Sequence, residues 1–299
     1  MHYIETLREG ERVNEIYLCK NKQSALTKAG KPYEALILQD KTGTLDAKIW
    51  EPGSVGIDDF DRFDYINVVG DITSFQGALQ LNVKRVRKAA EGEYEPKEYL
   101  PVSEYNVDEM YEQLLGYIKQ MENPYLKKLA GSFFIEDADF AKRFKFHSAA
   151  KSVHHGFVGG LLEHTLSVTK LSAYFADNYK ILNKDLLVCA AMFHDIGKLE
   201  ELSTFPENDY TDEGQLLGHI IGAMEIAERI KTIDGFPVKL AHEMEHCILA
   251  HHGELEYGSP KKPALPEAVA LSYADNIDAK METMRELLAN VPEGDTQWQ

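Results

Sequence analysis

The chain has 299 residues, 44% of them hydrophobic, which suits one large domain or two ordinary ones with a buried core. Its three cysteines, Cys19, Cys189 and Cys247, form no CxxC pair, so neither a disulfide framework nor a thiolate zinc site is expected. The net charge of −17 argues against a nucleic-acid partner until its distribution is considered, and no apolar run approaches a membrane span, the longest being Leu186 to Phe193.

Residues 1–90 carry 13 basic and 13 acidic side chains and are neutral; the remaining 209 residues carry the whole deficit. This neutral segment opens with MHYIETLREGERV, which lacks an apolar signal core, so a reduced, cytoplasmic, soluble protein is expected. The segment reads as strands. Leu45, Ala47 and Ile49 alternate with Asp46, Lys48 and Trp50, and Leu79, Leu81 and Val83 alternate with Gln80, Asn82 and Lys84. Turn chemistry at Asp40-Lys41-Thr42-Gly43 and Phe75-Gln76-Gly77 separates the runs. About five short strands suit a small all-β barrel of the OB type. Its outward Trp50 and Lys48, with Tyr33, Phe75 and the run Lys84-Arg85-Arg87-Lys88, offer aromatics among positive charges, as single-strand stacking requires. The same pattern also fits a barrel that packs on a neighbouring domain or on a second copy in a homo-oligomer.

Residues 91–105, EGEYEPKEYLPVSEY, read as a linker, and residues 106–299 read as all-α. Apolar stripes run through 107–120, 161–176, 185–196, 214–231, 238–252 and 265–289. Between the first two, residues 140–162 contain no Asp or Glu, yet hold Arg143, Lys151, His154 and His155. An acid-free window in an acidic half is a candidate phosphate site.

His164, His194, Asp195, His219, His251, His252 and Asp275 fall in or at the ends of these helices. Five imidazoles and two carboxylates form the donor set of a pair of divalent transition-metal ions, with manganese, iron, cobalt and zinc all compatible. His164 shares a face with Leu161, Val168 and Leu171 and so points inward. His242-Glu243-Met244-Glu245-His246 matches HExxH, but its own helix argues against it. Leu240, Met244, Cys247 and Ile248 share the stripe of His251, leaving His242 and His246 on the opposite, solvated side.

The ordered set His, His-Asp, His, His-His, Asp resembles the two-metal form of the HD-domain phosphohydrolases. The strings HHGFVGGLLEHTLSV, AMFHDIGKLEEL, GHIIGA, LAHHGELEYGSPKKP and YADNIDAK resemble the YhaM family of 3′-to-5′ exoribonucleases, which also carries an N-terminal OB-type domain. The resemblance implies an OB-like barrel followed by an all-α HD-domain bundle. It also implies one metal on His164, His194, Asp195 and Asp275, and a second on Asp195, His219, His251 and His252, with manganese preferred. The implied reaction is hydrolysis of single-stranded RNA, or alternatively single-stranded DNA, to nucleoside 5′-monophosphates. Lys198 is the candidate catalytic donor to the phosphate. After the double histidine the chain reads Gly253-Glu254-Leu255-Glu256-Tyr257-Gly258 rather than Gly-Tyr-Pro, which counts against a cyclic-dinucleotide substrate. A small-molecule nucleotide phosphohydrolase and a catalytically silent nucleic-acid-binding scaffold are the alternatives.

Overall fold

The computed structural model describes residues 2–151 and 155–289. The chain divides into two compact units, Met1–Val102 with Phe205–Glu207, and Ser103–Thr204 with Asn208–Gln299. In the first, β1 (Arg12–Leu26), β2 (Pro32–Asp40), β3 (Gly43–Ile49), β4 (Tyr65–Phe75) and β5 (Ala78–Lys88) close into a barrel of order β1-β2-β3-β5-β4. Closure needs one strand long enough to serve two neighbours. The 15-residue β1 does this, pairing with β4 over Arg12–Leu18 and with β2 over Leu18–Leu26, with a register shift between Cys19 and Asn21 where it bends. The β3–β5 pairing is parallel and the others are antiparallel, the topology of an OB-fold.

The alternation read in β3 holds, with Leu45, Ala47 and Ile49 buried against Tyr17, Ile66 and Leu81 in one core. In β5 it slips. Val83 and Val86 are buried with Lys84 and Arg85 both outside, because the ladder jumps one residue opposite Val69–Gly70. Residues 91–102, linker-like in composition, belong to the barrel unit. Tyr94 stacks on Tyr65 at 3.8 Å, Tyr99 and Leu100 are buried, and the Gln39 amide donates to the Tyr99 carbonyl at 2.9 Å.

The second unit is all-helical. Helices α1 (Val107–Gln120), α2 (Pro124–Phe134), α3 (Ala138–Phe146), α4 (Gly160–Asn178), α5 (Lys184–Phe193), α6 (Lys198–Glu201), α7 (Asp212–Leu217), α8 (Gly222–Lys231), α9 (Val238–Leu249) and α10 (Pro266–Ala289) surround one core. Side chains of Asn106, Asn123, Asp137, Asn183 and Thr211 accept backbone N–H bonds at the starts of α1, α2, α3, α5 and α7. Every residue of α5 from Leu186 to Phe193 is buried, as a helix apolar all round must be. Around its end, Phe133, Phe134, Phe140, Phe144 and Phe193 pack with centroids 5.1 to 5.7 Å apart.

Two differences from the sequence reading matter for the site. Helices α2 and α3 lie in a stretch where no stripe was read, being only 11 and 9 residues long. The stripe 214–231 is not one helix but α7, a 3-10 turn at His219–Ile221, and α8. The break is at Gly218, whose φ of 66° and ψ of 174° suit glycine far better than any other residue. It frees His219 from the helix and turns it inward.

Candidate metal centre

The seven residues converge. Asp195, buried in the turn after α5, directs its two oxygens at two groups. Oδ2 lies 3.3 Å from Nε2 of His164 on α4 and 3.5 Å from Nε2 of His194. Asp275 on α10 completes that group, its Oδ1 3.2 Å from His164 Nε2 and 3.9 Å from His194 Nε2. Oδ1 of Asp195 lies 3.5 Å from Nε2 of His219 and 3.7 Å from Nε2 of His251. His252 joins this second group, its Nε2 3.0 Å from that of His219.

The hydrogen bonds at the outer ring nitrogens define what the inner ones are for. Nδ1 of His194 bonds the Ala191 carbonyl at 2.8 Å, and Nδ1 of His251 bonds that of Ile248 at 2.6 Å. Nδ1 of His164 bonds Asp278 at 2.7 Å, and Nδ1 of His219 bonds Glu201 at 3.1 Å. Carbonyls and carboxylates only accept, so each Nδ1 carries a proton and each Nε2 is the nitrogen turned inward, presenting a lone pair whenever its ring is neutral. His164 and His194 thus face each other Nε2 to Nε2 at 3.1 Å, and the buried Nε2 of His251 has no hydrogen-bond partner. Lone pairs aimed at one another, with carboxylates beside them and their outer N–H groups anchored, are the arrangement of imidazoles built to ligate a cation. The donor set fits a divalent ion.

Protonation tendencies agree. Burial lowers the pKa of His194 and His252, and pushes that of His251 down to about 3, so these rings are neutral. Burial opposes ionisation of Asp195, but Lys198 and the bond from His164 outweigh it and hold the carboxyl well below its usual range. His164 alone goes the other way: burial lowers its pKa, but bonds to Asp195, Asp275 and Asp278 raise it well above normal. A proton and a metal would compete for that Nε2, so a metal bound there would displace the proton.

Close backbone approach positions the second group. A Cβ on Gly197 would lie 1.8 Å from the His219 carbonyl oxygen, and one on Gly222 would lie 2.8 Å from the Gly197 nitrogen. Only two glycines let the His219 turn sit this near the Asp195 turn. Glu201 then accepts from both the backbone N–H and the ring of His219. Sequence reasoning missed Glu201. Its available signal was the glycine pair, Gly197 and Gly222, flanking the two metal-type motifs.

The remaining candidates are arranged differently. Lys198 donates to the Ala149 carbonyl at 2.7 Å and lies 3.2 Å from Asp195 Oδ2, so it braces the carboxylate. His155 is buried and bonds Asp278 at 3.1 Å, which places it behind His164 rather than on a phosphate surface. Asp278 also accepts from Ser167. Arg143 pairs with Glu200 at 2.5 Å and Lys151 with Asp209 at 2.5 Å, so the acid-free window is neutralised by acids from elsewhere in the chain. His154 lies outside the described residues. In HEMEH, His242 is exposed and His246 Nε2 accepts the Ala264 N–H at 2.9 Å; neither joins the cluster.

On the barrel, Tyr33 and Trp50 pack at 5.2 Å with the Lys48 amine 5.6 Å from the Tyr33 ring, and Trp50 Nε1 donates to Asn82. Phe75 is exposed at the β4–β5 hairpin. The basic run is largely ion-paired, Lys84 with Asp71, Arg87 with Glu93 and Lys88 with Asp64, while Arg85 lies along Gly56.

A five-stranded OB barrel followed by a helical unit with this cluster defines an HD-domain protein, a class that depends on divalent metal; the HD domain family matches residues 161–280. Over 96% of its length the chain is 34% identical to the 3′-5′ exoribonuclease YhaM of Bacillus velezensis and covers 90% of it. It is 36% identical to that of Bacillus licheniformis over 96% of this chain and 90% of that one. The chain belongs to the YhaM family. Among solved structures, the second OB-fold domain of replication protein A from Methanococcus maripaludis is similar to 31% of this chain and 98% of its own, at 18% identity and a TM-score of 0.25. Among the described residues no helix is long and apolar enough to cross a membrane.

Proposed function

We propose that this protein is a metal-dependent 3′-to-5′ exoribonuclease that trims single-stranded RNA to nucleoside 5′-monophosphates, with residues 1–90 holding the strand and 106–299 carrying the hydrolysis. The observation that carries this reading is Asp195, one buried carboxylate shared between two imidazole groups. His164, His194, Asp195 and Asp275 would hold one ion, and Asp195, His219, His251 and His252 the other. The family suggests manganese, and the donors equally suit iron, cobalt or zinc. When bound, such a pair supplies an activated water and neutralises charge building on the scissile phosphate.

The chain's own residues do the positioning. Asp278 and Glu201 fix the rings of His164 and His219, and Lys198 keeps the Asp195 carboxylate turned to both groups. Arg143 and Lys151, already paired, are given no substrate contact. On the barrel, Trp50, Tyr33 and Phe75 provide faces on which bases of any identity stack, beside Lys48. The three cysteines are free and buried, in keeping with a reducing cytoplasm.

Asp195→Ala tests the reading. With 5′-labelled single-stranded RNA and manganese, wild type shortens the strand stepwise from the 3′ end. The folded variant leaves it intact, and wild-type trimming by that variant would sink the mechanism.

A further inference from the structure

We infer that a pocket beside His252, walled by the loop after α9 and by α10, receives the nucleoside of the terminal nucleotide; this deepens the exonuclease reading above. The loop is the one that stands where a Gly-Tyr-Pro segment was expected of cyclic-dinucleotide enzymes. With α10 it lines an open pocket of about 330 Å³ whose lining includes His252, Tyr257, Lys262, Ser272, Tyr273 and Asn276. That volume sits at the small end of the ~300–1,000 Å³ typical of small-molecule pockets, the scale of one nucleoside rather than of a duplex.

Position supplies the first argument. His252 belongs both to the cavity wall and to the cluster, its Nε2 3.0 Å from His219 Nε2. Asn276, on the wall, directly follows Asp275 of the cluster. A phosphate engaged at the cluster therefore has this cavity as a neighbouring space for its sugar and base.

Chemistry supplies the second. Tyr257 and Tyr273 are 66% and 64% exposed, and both line the cavity. Aromatic faces take any base, as an enzyme that removes successive nucleotides requires. Ser272 already donates its hydroxyl proton to the Val269 carbonyl at 2.9 Å, which leaves its oxygen as an acceptor for a sugar hydroxyl. Lys262 and Glu254, both in the lining, neutralise each other at 2.6 Å.

The wall is also built in advance. Ser259 Oγ lies 2.6 Å from the Lys261 carbonyl and 3.1 Å from that of Leu249, its single proton shared between the two, which ties the loop to the end of α9. His246, the leftover histidine of HEMEH, accepts the Ala264 N–H and ties down the loop's far end. The larger groove of about 700 Å³ along Phe175, Ile181 and Pro263 is walled by apolar and tyrosine side chains and includes no residue of the cluster.

The test is calorimetric titration of adenosine 5′-monophosphate into the manganese-loaded protein, for wild type and for the Tyr257→Ala/Tyr273→Ala double variant. Both rings are exposed, so their removal leaves the core intact. Loss of a stacked base predicts affinity weakened roughly tenfold or more. The KM for single-stranded RNA should rise in parallel, with manganese content and melting temperature at wild-type values. Equal affinity in the two proteins overturns the pocket, and so does a loss of affinity that tracks a loss of manganese. Wild-type protein that binds the monophosphate through these tyrosines yet leaves RNA intact keeps the pocket and removes the exonuclease reading.

Discussion

Asp278→Asn isolates the support of one imidazole from the ligands themselves. Asp278 does not face the centre of the cluster. Its Oδ2 accepts from His164 Nδ1 at 2.7 Å and from His155 Nε2 at 3.1 Å, and Oδ1 accepts from Ser167. Burial opposes its ionisation, but the bonds from His155 and His164 hold the carboxyl below its usual range, so it is charged throughout the working pH interval. Asparagine keeps the shape and one accepting oxygen, removes the charge, and sets an amide N–H₂ against one of the donors. Two effects then act in the same direction: the His164 ring loses its fixed tautomer and basicity, and the cluster loses a nearby negative charge. Supporting carboxylates of this kind are typically worth 10- to 100-fold in metal affinity, or about 1.4–2.7 kcal/mol. Manganese titration followed by calorimetry should show that loss, with activity recovering towards wild type as manganese is raised. Ser167→Ala, which releases only the other oxygen, should change affinity far less. An Asp278→Asn protein with wild-type manganese affinity and an unchanged melting temperature would refute the reasoning, because the bond to His164 would then be dispensable.

Other consequences can be read directly from the packing. Gly222→Ala puts a methyl group 2.8 Å from the Gly197 nitrogen and should push His219 off the cluster, cutting metal content before it cuts overall stability; circular dichroism with metal analysis separates the two. Phe193→Ala removes a fully buried ring from the five-phenylalanine cluster and should cost about 3–5 kcal/mol in urea unfolding of the helical unit. Asp137→Ala deletes the cap that accepts the Phe140 N–H and should cost about 1 kcal/mol, seen as a lower denaturant midpoint with no change in metal binding. Trp50→Ala should weaken single-stranded RNA binding by about 1–3 kcal/mol, the worth of one stacked base, while hydrolysis of a dinucleotide stays near wild type.

The cluster was legible because its pieces obey helical periodicity. His164 follows the Leu161–Val168 face, and His251 follows the stripe of Leu240, Met244, Cys247 and Ile248, so a period of 3.6 decides which histidines point inward. The same arithmetic dismissed His242 and His246, although it could not foresee that His246 anchors the loop at Ala264. The barrel was legible through its period of two, except where the β4–β5 register slips and sets Lys84 and Arg85 both outside. What stayed hidden depends on contacts between segments far apart in sequence. The acid-free window looked like an anion site because its own neighbours carry no charge, but Glu200 and Asp209 arrive from more than fifty residues away to pair with Arg143 and Lys151. Glu201 lay in no stripe, and its purpose exists only once Gly218 breaks the chain and Gly197 and Gly222 let two turns touch. Candidate ligands declare themselves by the face they occupy, whereas the groups that orient them are recruited by tertiary approach. Substitutions at Glu201 and Asp278 therefore test this centre more severely than substitutions at its histidines, since the former can cost metal only if the observed packing is what holds the candidate ligands in place.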